Sequence, residues 1–239
     1  MSTIVAQNTY FWKGIPFNSL KHSVYISPST LQVTRILSLL FNLFCSGWTI
    51  YNQLQITDQP FYQMFAYLTN WGVFLCTLYF ITVMAFQGVS DSSSLWKFPY
   101  VVGELAASYQ FLIIPFFWIV LAPPVISSMD LLSWVNNLCI HFGCGVTIWV
   151  DVIFNHMKFP HSHRIILIIV SAIYAVNNFC WTVLNGTPPY GIIDWKSTTS
   201  YVLSVVAFAL ALIGYEVGRC QYKRKQKLIE KTALLKIDV

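Results

Sequence analysis

The chain has 239 residues, 56% of them hydrophobic and only 10% charged, with a mean hydropathy of +0.59. A soluble domain carries about 25% charged residues, so the composition excludes a soluble globular fold, and the length leaves no room for a separate water-soluble catalytic module. The net charge of +5 does not indicate nucleic acid, because seven of the fourteen basic residues follow Gly218 beside the last apolar run, which is the pattern of a cytosolic anchor.

The expected fold is all-α: a polytopic membrane protein with six transmembrane helices in one bundle. Residues 1–30 mix polar groups with Phe11, Trp12, Phe17 and Tyr25 and suit an interfacial segment with no fixed structure. They show no charged-then-apolar leader with a cleavage site and no arginine-rich transit pattern. Residues 31–219 hold the spans. The first is Leu31–Tyr51, followed by a loop without Lys or Arg. The second is Phe61–Phe86, charge-free and longer than the roughly 20 residues that cross hydrocarbon, ending at Gly88 and a serine-rich turn through Ser90-Asp91. The third is Phe98–Ala122, where Pro115 predicts a kink and Pro123-Pro124 a stop. The fourth is Leu131–Phe154 and the fifth Arg164–Leu184, which runs into the turn signal Asn185-Gly186-Thr187-Pro188-Pro189-Tyr190-Gly191. The sixth, Thr198–Gly218, delivers the chain to a basic cytosolic tail, residues 220–239.

Loops after the second and fourth spans and the tail hold Lys97, Lys158, Arg164 and the basic cluster, whereas those after the first, third and fifth hold only Lys196. The positive-inside rule then predicts that both termini are cytosolic, in the endoplasmic reticulum or plasma membrane. The six cysteines sit in or beside apolar runs without a CxxC pair, so neither a disulfide framework nor a metal site is expected. No cofactor is expected either. Membrane lipids are the expected partners, and a membrane-protein partner on the aromatic outer surface stays open.

Polar residues inside spans are costly unless they face the bundle interior. At 1.5 Å of rise per residue, Thr69 and His141 lie roughly 12 and 15 Å below the exterior face, with Asn177 and Asn178 at a similar level. Asn70 adjoins Thr69. Arg35, Glu104, Asp151 and Glu216 form a second, charged layer within about 10 Å of the cytosolic face, expected to hold the bundle together through an ion pair to Arg35. Two readings of Thr69 and His141 stand at this point. In one, the threonine bonds its own i−4 carbonyl and the histidine is satisfied by a neighbouring helix. In the other, neutral His141 takes the Thr69 proton, the alkoxide attacks an ester carbonyl, and Asn177 or Asn178 orients the base or stabilises the oxyanion.

The order of short motifs resembles the six-span family of androgen-induced and androgen-dependent membrane proteins, with the related rolling-stone proteins. The landmarks are Leu68-Thr69, Phe117-Trp118-Ile119, His141 with Asp151 ten residues on, His156 and Pro160, Tyr174, Cys180-Trp181, Gly186, Tyr190 and Glu216. They cover about residues 31–220. The androgen-induced branch implies a threonine hydrolase of fatty acid esters of hydroxy fatty acids, with Thr69 and His141 at the two catalytic positions. Tyr67-Leu68-Thr69-Asn70-Trp71 looks closer to the rolling-stone branch, which implies a non-enzymatic role as a scaffold, fusion factor or subunit. Asn70-Trp71 and Phe142-Gly143-Cys144-Gly145 depart from the androgen-induced pattern.

Overall fold

The structure, a computed structural model, describes residues 12, 14, 15, 17–88, 93–124 and 126–235. Phe11, Ser90-Asp91 of the serine-rich turn and the end of the basic tail from 236 lie outside the described residues. Among those described there are seven α-helices and no strand: α1 (Pro28–Tyr51), α2 (Leu68–Ala85), α3 (Lys97–Pro115), α4 (Leu131–Leu138), α5 (Cys144–Phe154), α6 (Arg164–Asn185) and α7 (Thr198–Leu235). With their 3₁₀ and π extensions they make six stretches long and apolar enough to cross a membrane: Pro28–Ile56, Leu68–Ala85, Lys97–Leu121, Leu131–Phe154, His161–Asn185 and Thr198–Lys231. The chain is therefore an all-α, multi-pass integral membrane protein.

Local chemistry sets the helix ends. Ser27 accepts the Thr30 N–H at 3.1 Å and Pro28 occupies the first helical position, which together start α1. The Asp130 carboxylate does the same for α4 through the Ser133 N–H, at 2.8 Å. Gly186, at φ +69°, closes α6 in the left-handed conformation that favours glycine, its N–H donating to the Thr182 carbonyl at 3.0 Å.

Helix α3 is buried on nearly all sides and packs against α2, α5 and α7, while α1 lies against α2 and α5 and α6 meets α7 at the periphery. Close approach of α3 and α7 depends on Gly214, where a Cβ would stand 2.6 Å from the Phe111 Cβ and 3.1 Å from the Ser108 carbonyl. Small residues at such crossings are what let helix backbones meet in a membrane. The outward faces are apolar, as lipid requires: Val33, Leu37, Leu40 and Phe44 on α1, and Ile169, Ile173, Val176 and Val183 on α6, are exposed.

Three expectations are corrected, and the region of Pro115 is described beside them. The second span is not one helix from Phe61: a 3₁₀ segment, Phe61–Ala66, stops at extended Tyr67, and α2 begins at Leu68. Thr69 thus sits in the first turn of a helix, and its depth cannot be counted along a continuous rod. At Pro115 the α-helix continues and then widens into a π-helical segment, Phe116–Leu121, with the Ala122 N–H reaching the Phe117 carbonyl at 2.8 Å. The described part of residues 1–30 is structured. Ile15, Ser19 and Leu20 are buried, Ser23 bridges to Asn155, and the Ser19 carbonyl accepts from the His156 N–H at 2.9 Å. Finally, the sixth transmembrane helix does not end at Gly218. Helix α7 runs through it to Leu235, and Lys225, only 1% exposed, donates to the Val152 and Asn155 carbonyls at 2.5 Å each. The ammonium satisfies orphan carbonyls at the end of α5.

Candidate functional site

Two π-helical segments and one helix start converge at the end of the bundle away from its charged cluster. Thr69 lies in the first turn of α2, His141 in the π segment Cys139–Gly143 between α4 and α5, and Phe117 in the π segment after Pro115. Single π turns inside α-helices recur at functional sites, because the extra residue turns side chains to a face that regular helix would not reach. Here they set the His141 imidazole flat on the Phe117 ring, with centroids 3.4 Å apart and planes 5° from parallel.

The Thr69 Oγ1 to His141 Nδ1 distance is 3.4 Å, and both residues are buried. With the ring proton on Nε2, Nδ1 accepts from the hydroxyl; the threonine does not turn back on its own helix. Its i−4 carbonyl, on Phe65, is taken instead by Trp71 Nε1 at 2.8 Å and Asn177 Nδ2 at 2.7 Å. Catalytic hydrogen bonds of this length before substrate binding commonly tighten in the substrate complex. Among the described residues the ion pairs are made by other groups, so the imidazole has no carboxylate partner.

Two cavities meet at Thr69. One, of about 320 Å³, runs between α3, α6 and α7 past Leu112, Phe116, Ala172 and Phe208 and is almost wholly apolar. The other, of about 410 Å³, is richer in polar groups and is walled by Asn52, Gln53, Asn70, Asn136 and His141. Thr69, Phe117, Leu121 and Tyr190 border both.

The expected polar layer is redistributed by the break at Tyr67. That break strands the carbonyls of Phe65 and Ala66 and leaves the Met64 carbonyl a long bond from the Tyr67 N–H, at 3.3 Å; stranded backbone groups must find partners inside a membrane protein. Asn70 Nδ2 donates to Met64 at 2.9 Å, Asn177 to Phe65, and the Tyr174 hydroxyl to Ala66 at 3.0 Å. Asn178 accepts from Trp195 Nε1 at 2.8 Å and donates to the Tyr174 hydroxyl at 3.3 Å. Neither Asn177 nor Asn178 bonds His141; both brace the backbone around Thr69, Asn178 through Tyr174.

On the carboxyl side of the break the Tyr190 hydroxyl accepts the N–H groups of Leu68, at 2.8 Å, and Thr69, at 3.4 Å. Sequence reasoning found Tyr190 only as a landmark of resemblance, since a loop tyrosine after two prolines carries no signal of where its hydroxyl lands.

The charged residues divide into separate pairs, the expected ion pair to Arg35 among them. Arg35 meets Asp151 in a two-pronged contact, Nε to Oδ1 at 2.7 Å and Nη2 to Oδ2 at 3.1 Å, joined by the Tyr79 hydroxyl and by Asn155 Nδ2 at 2.9 Å. Glu104 pairs with His163 Nδ1 at 2.8 Å, a histidine that the apolar-run search passed over because it sits at the mouth of the fifth span. Glu216 is half-exposed and bonds Arg164 and Arg219. None of the four touches Thr69 or His141.

Comparison with known proteins gives no match: no family model, curated protein or solved structure is similar to this chain.

Proposed function

We propose that the chain is an intramembrane hydrolase of lipid esters, with Thr69 as nucleophile and His141 as general base. The observation that carries this reading is the 3.4 Å approach of Thr69 Oγ1 to His141 Nδ1 where a greasy cavity abuts a wetter one. An ester with a long hydrocarbon arm divides the same way. Its chain lies in the 320 Å³ cavity, its carbonyl reaches Thr69, and hydrolytic water stands in the polar chamber beside His141. His141 takes the hydroxyl proton as Thr69 attacks, returns it to the departing alcohol, and then activates water against the acyl-threonine ester. The resemblance to the androgen-induced branch supports the same pair of residues and extends the reading to fatty acid esters of hydroxy fatty acids.

The basic groups supply an orientation. Lys97, Lys158, Arg164 and the cluster on α7 favour a cytosolic face at the charged end, with Thr69 and His141 toward the opposite leaflet and both termini in the cytosol. The endoplasmic reticulum and the plasma membrane are the membranes proposed.

A fluorophosphonate probe tests the chemistry on the purified, detergent-solubilised chain. Wild type is expected to label at Thr69, Thr69→Ala to fall to background, and His141→Ala to label ~10²–10⁴-fold more slowly. Labelling of Thr69→Ala at the wild-type rate would remove the nucleophile assignment.

A further inference from the structure

Helix α2 begins without a side-chain cap of its own. The first N–H groups of any helix lack intrahelical partners and carry partial positive charge. Asn70 and Trp71 send theirs back to the Tyr67 carbonyl, at 3.2 and 3.4 Å. Those of Leu68 and Thr69 converge on one oxygen, the Tyr190 hydroxyl. That oxygen occupies the place where the start of a helix would hold an anion.

Three further observations give the phenol a chemical direction. Its ring stands edge-on to Tyr67, centroids 5.7 Å apart, and follows Pro188-Pro189, whose fixed φ angles stiffen the approach. Its hydroxyl neighbours are the side chains of Thr69 and Tyr174. It borders both cavities at the same point as Thr69. Desolvation holds Tyr190 above the ordinary phenol value, so it keeps its proton at neutral pH. An oxygen that accepts two N–H groups is polarised and becomes a better O–H donor.

We propose that Tyr190 is a catalytic residue of the Thr69 site: its hydroxyl, held by the Leu68 and Thr69 amides, donates to the ester carbonyl oxygen of the lipid substrate and stabilises the oxyanion. This rests on the hydrolase reading and names the group that Asn177 and Asn178 were expected to supply. In the step, the Thr69 oxygen forms a bond to the carbonyl carbon as its proton passes to His141. The carbonyl π pair moves onto oxygen, which the Tyr190 O–H receives as a hydrogen bond without transferring its proton. Collapse re-forms the carbonyl and breaks the ester C–O bond, and the leaving alkoxide takes the proton from His141. Water repeats the sequence on the acyl-threonine to give the free acid and restore the hydroxyl. The net reaction is ester plus water to acid plus alcohol.

Steady-state turnover of 4-methylumbelliferyl oleate by the full chain in lipid nanodiscs tests the assignment. Tyr190→Phe is expected to lower kcat by ~10²–10³-fold, the usual loss for one oxyanion donor, with KM within about threefold. Because this variant also strips an acceptor from two amides, Tyr190→3,5-difluorotyrosine is the companion. It keeps the ring and hydroxyl, so a capping role predicts an unchanged pH profile. A donor that must stay protonated predicts that the alkaline limb of kcat moves to lower pH. Full kcat in Tyr190→Phe, or an unmoved alkaline limb in the fluorinated variant, overturns the role of Tyr190 while leaving Thr69 and His141 in place if Thr69→Ala is inactive. Absent turnover in wild type, or full turnover in Thr69→Ala, overturns both readings together.

Discussion

Asn177 shows how a polar residue inside a span is drawn to whichever backbone group lacks a partner. Its amide bonds the Phe65 carbonyl, which also accepts from Trp71. Asn177→Ala therefore leaves that carbonyl one donor and is expected to cost about 1 kcal/mol of stability, the net worth of one such bond. Thermal unfolding in detergent measures this, and fluorophosphonate labelling of Thr69 should proceed at the wild-type rate; a catalytic asparagine would instead lose labelling. Thr69 and His141 were legible as residues because a hydroxyl and an imidazole stand out in charge-free runs. What they bond was not, since the carbonyls that claimed Asn70, Asn177 and Tyr174 exist only because the chain breaks at Tyr67. The stretch Phe61-Tyr62-Gln63-Met64-Phe65-Ala66-Tyr67 contains neither Gly nor Pro to announce that break.

At the scale of elements, the positions of the spans follow from unbroken apolar length and were readable within a few residues, whereas their internal irregularities were not. A π turn changes hydrogen-bond register without altering hydropathy, so the placing of His141 against Phe117 could not be counted from 3.6-residue periodicity. Helix α7 illustrates a second limit. Its basic stretch reads as a solvated tail, yet Lys225 is drawn inward by the end of α5. Half-buried His156, whose ring meets Tyr222 edge-on at 5.6 Å, shares this contact. Desolvation foremost, then the charges of Lys225 and His22, lower its affinity for a proton below the ordinary 6.5. The unfolded chain consequently takes up the proton first as pH falls. His156 costs stability progressively as pH drops below about 6.5, and the loss levels off once pH passes the folded value. His156→Gln is expected to flatten that part of the melting temperature against pH between pH 8 and 5; an unchanged slope would assign the acid sensitivity elsewhere.

Across the whole molecule, the Thr69–His141 pair and the charged contacts that hold the helices together sit at opposite ends. Arg35, Asp151, Tyr79 and Asn155 tie α1, α2 and α5 together, Asn155 extends the tie to the amino-terminal segment, and Lys225 brings in α7. Arg35 and Asp151 are 1% and 0% exposed, and removing one member of a buried pair leaves the other charge uncompensated. Asp151→Asn is expected to cost about 3–5 kcal/mol, read as a large drop in melting temperature. The double change Arg35→Met with Asp151→Leu should be milder than either charge removal alone. A loss in the double variant equal to the sum of the two single losses would show that the pair is not coupled.

The discontinuity at Tyr67 has a mechanical corollary. The stretch of backbone that carries Thr69 is suspended from its neighbours: Tyr174 and Asn177 of the lipid-facing α6 grip one side, and the loop that follows α6 grips the other through Tyr190. A shift of α6 relative to α2 must stretch at least one of these tethers, so the bilayer's grip on the least enclosed rod of the bundle is also a grip on the Thr69 hydroxyl.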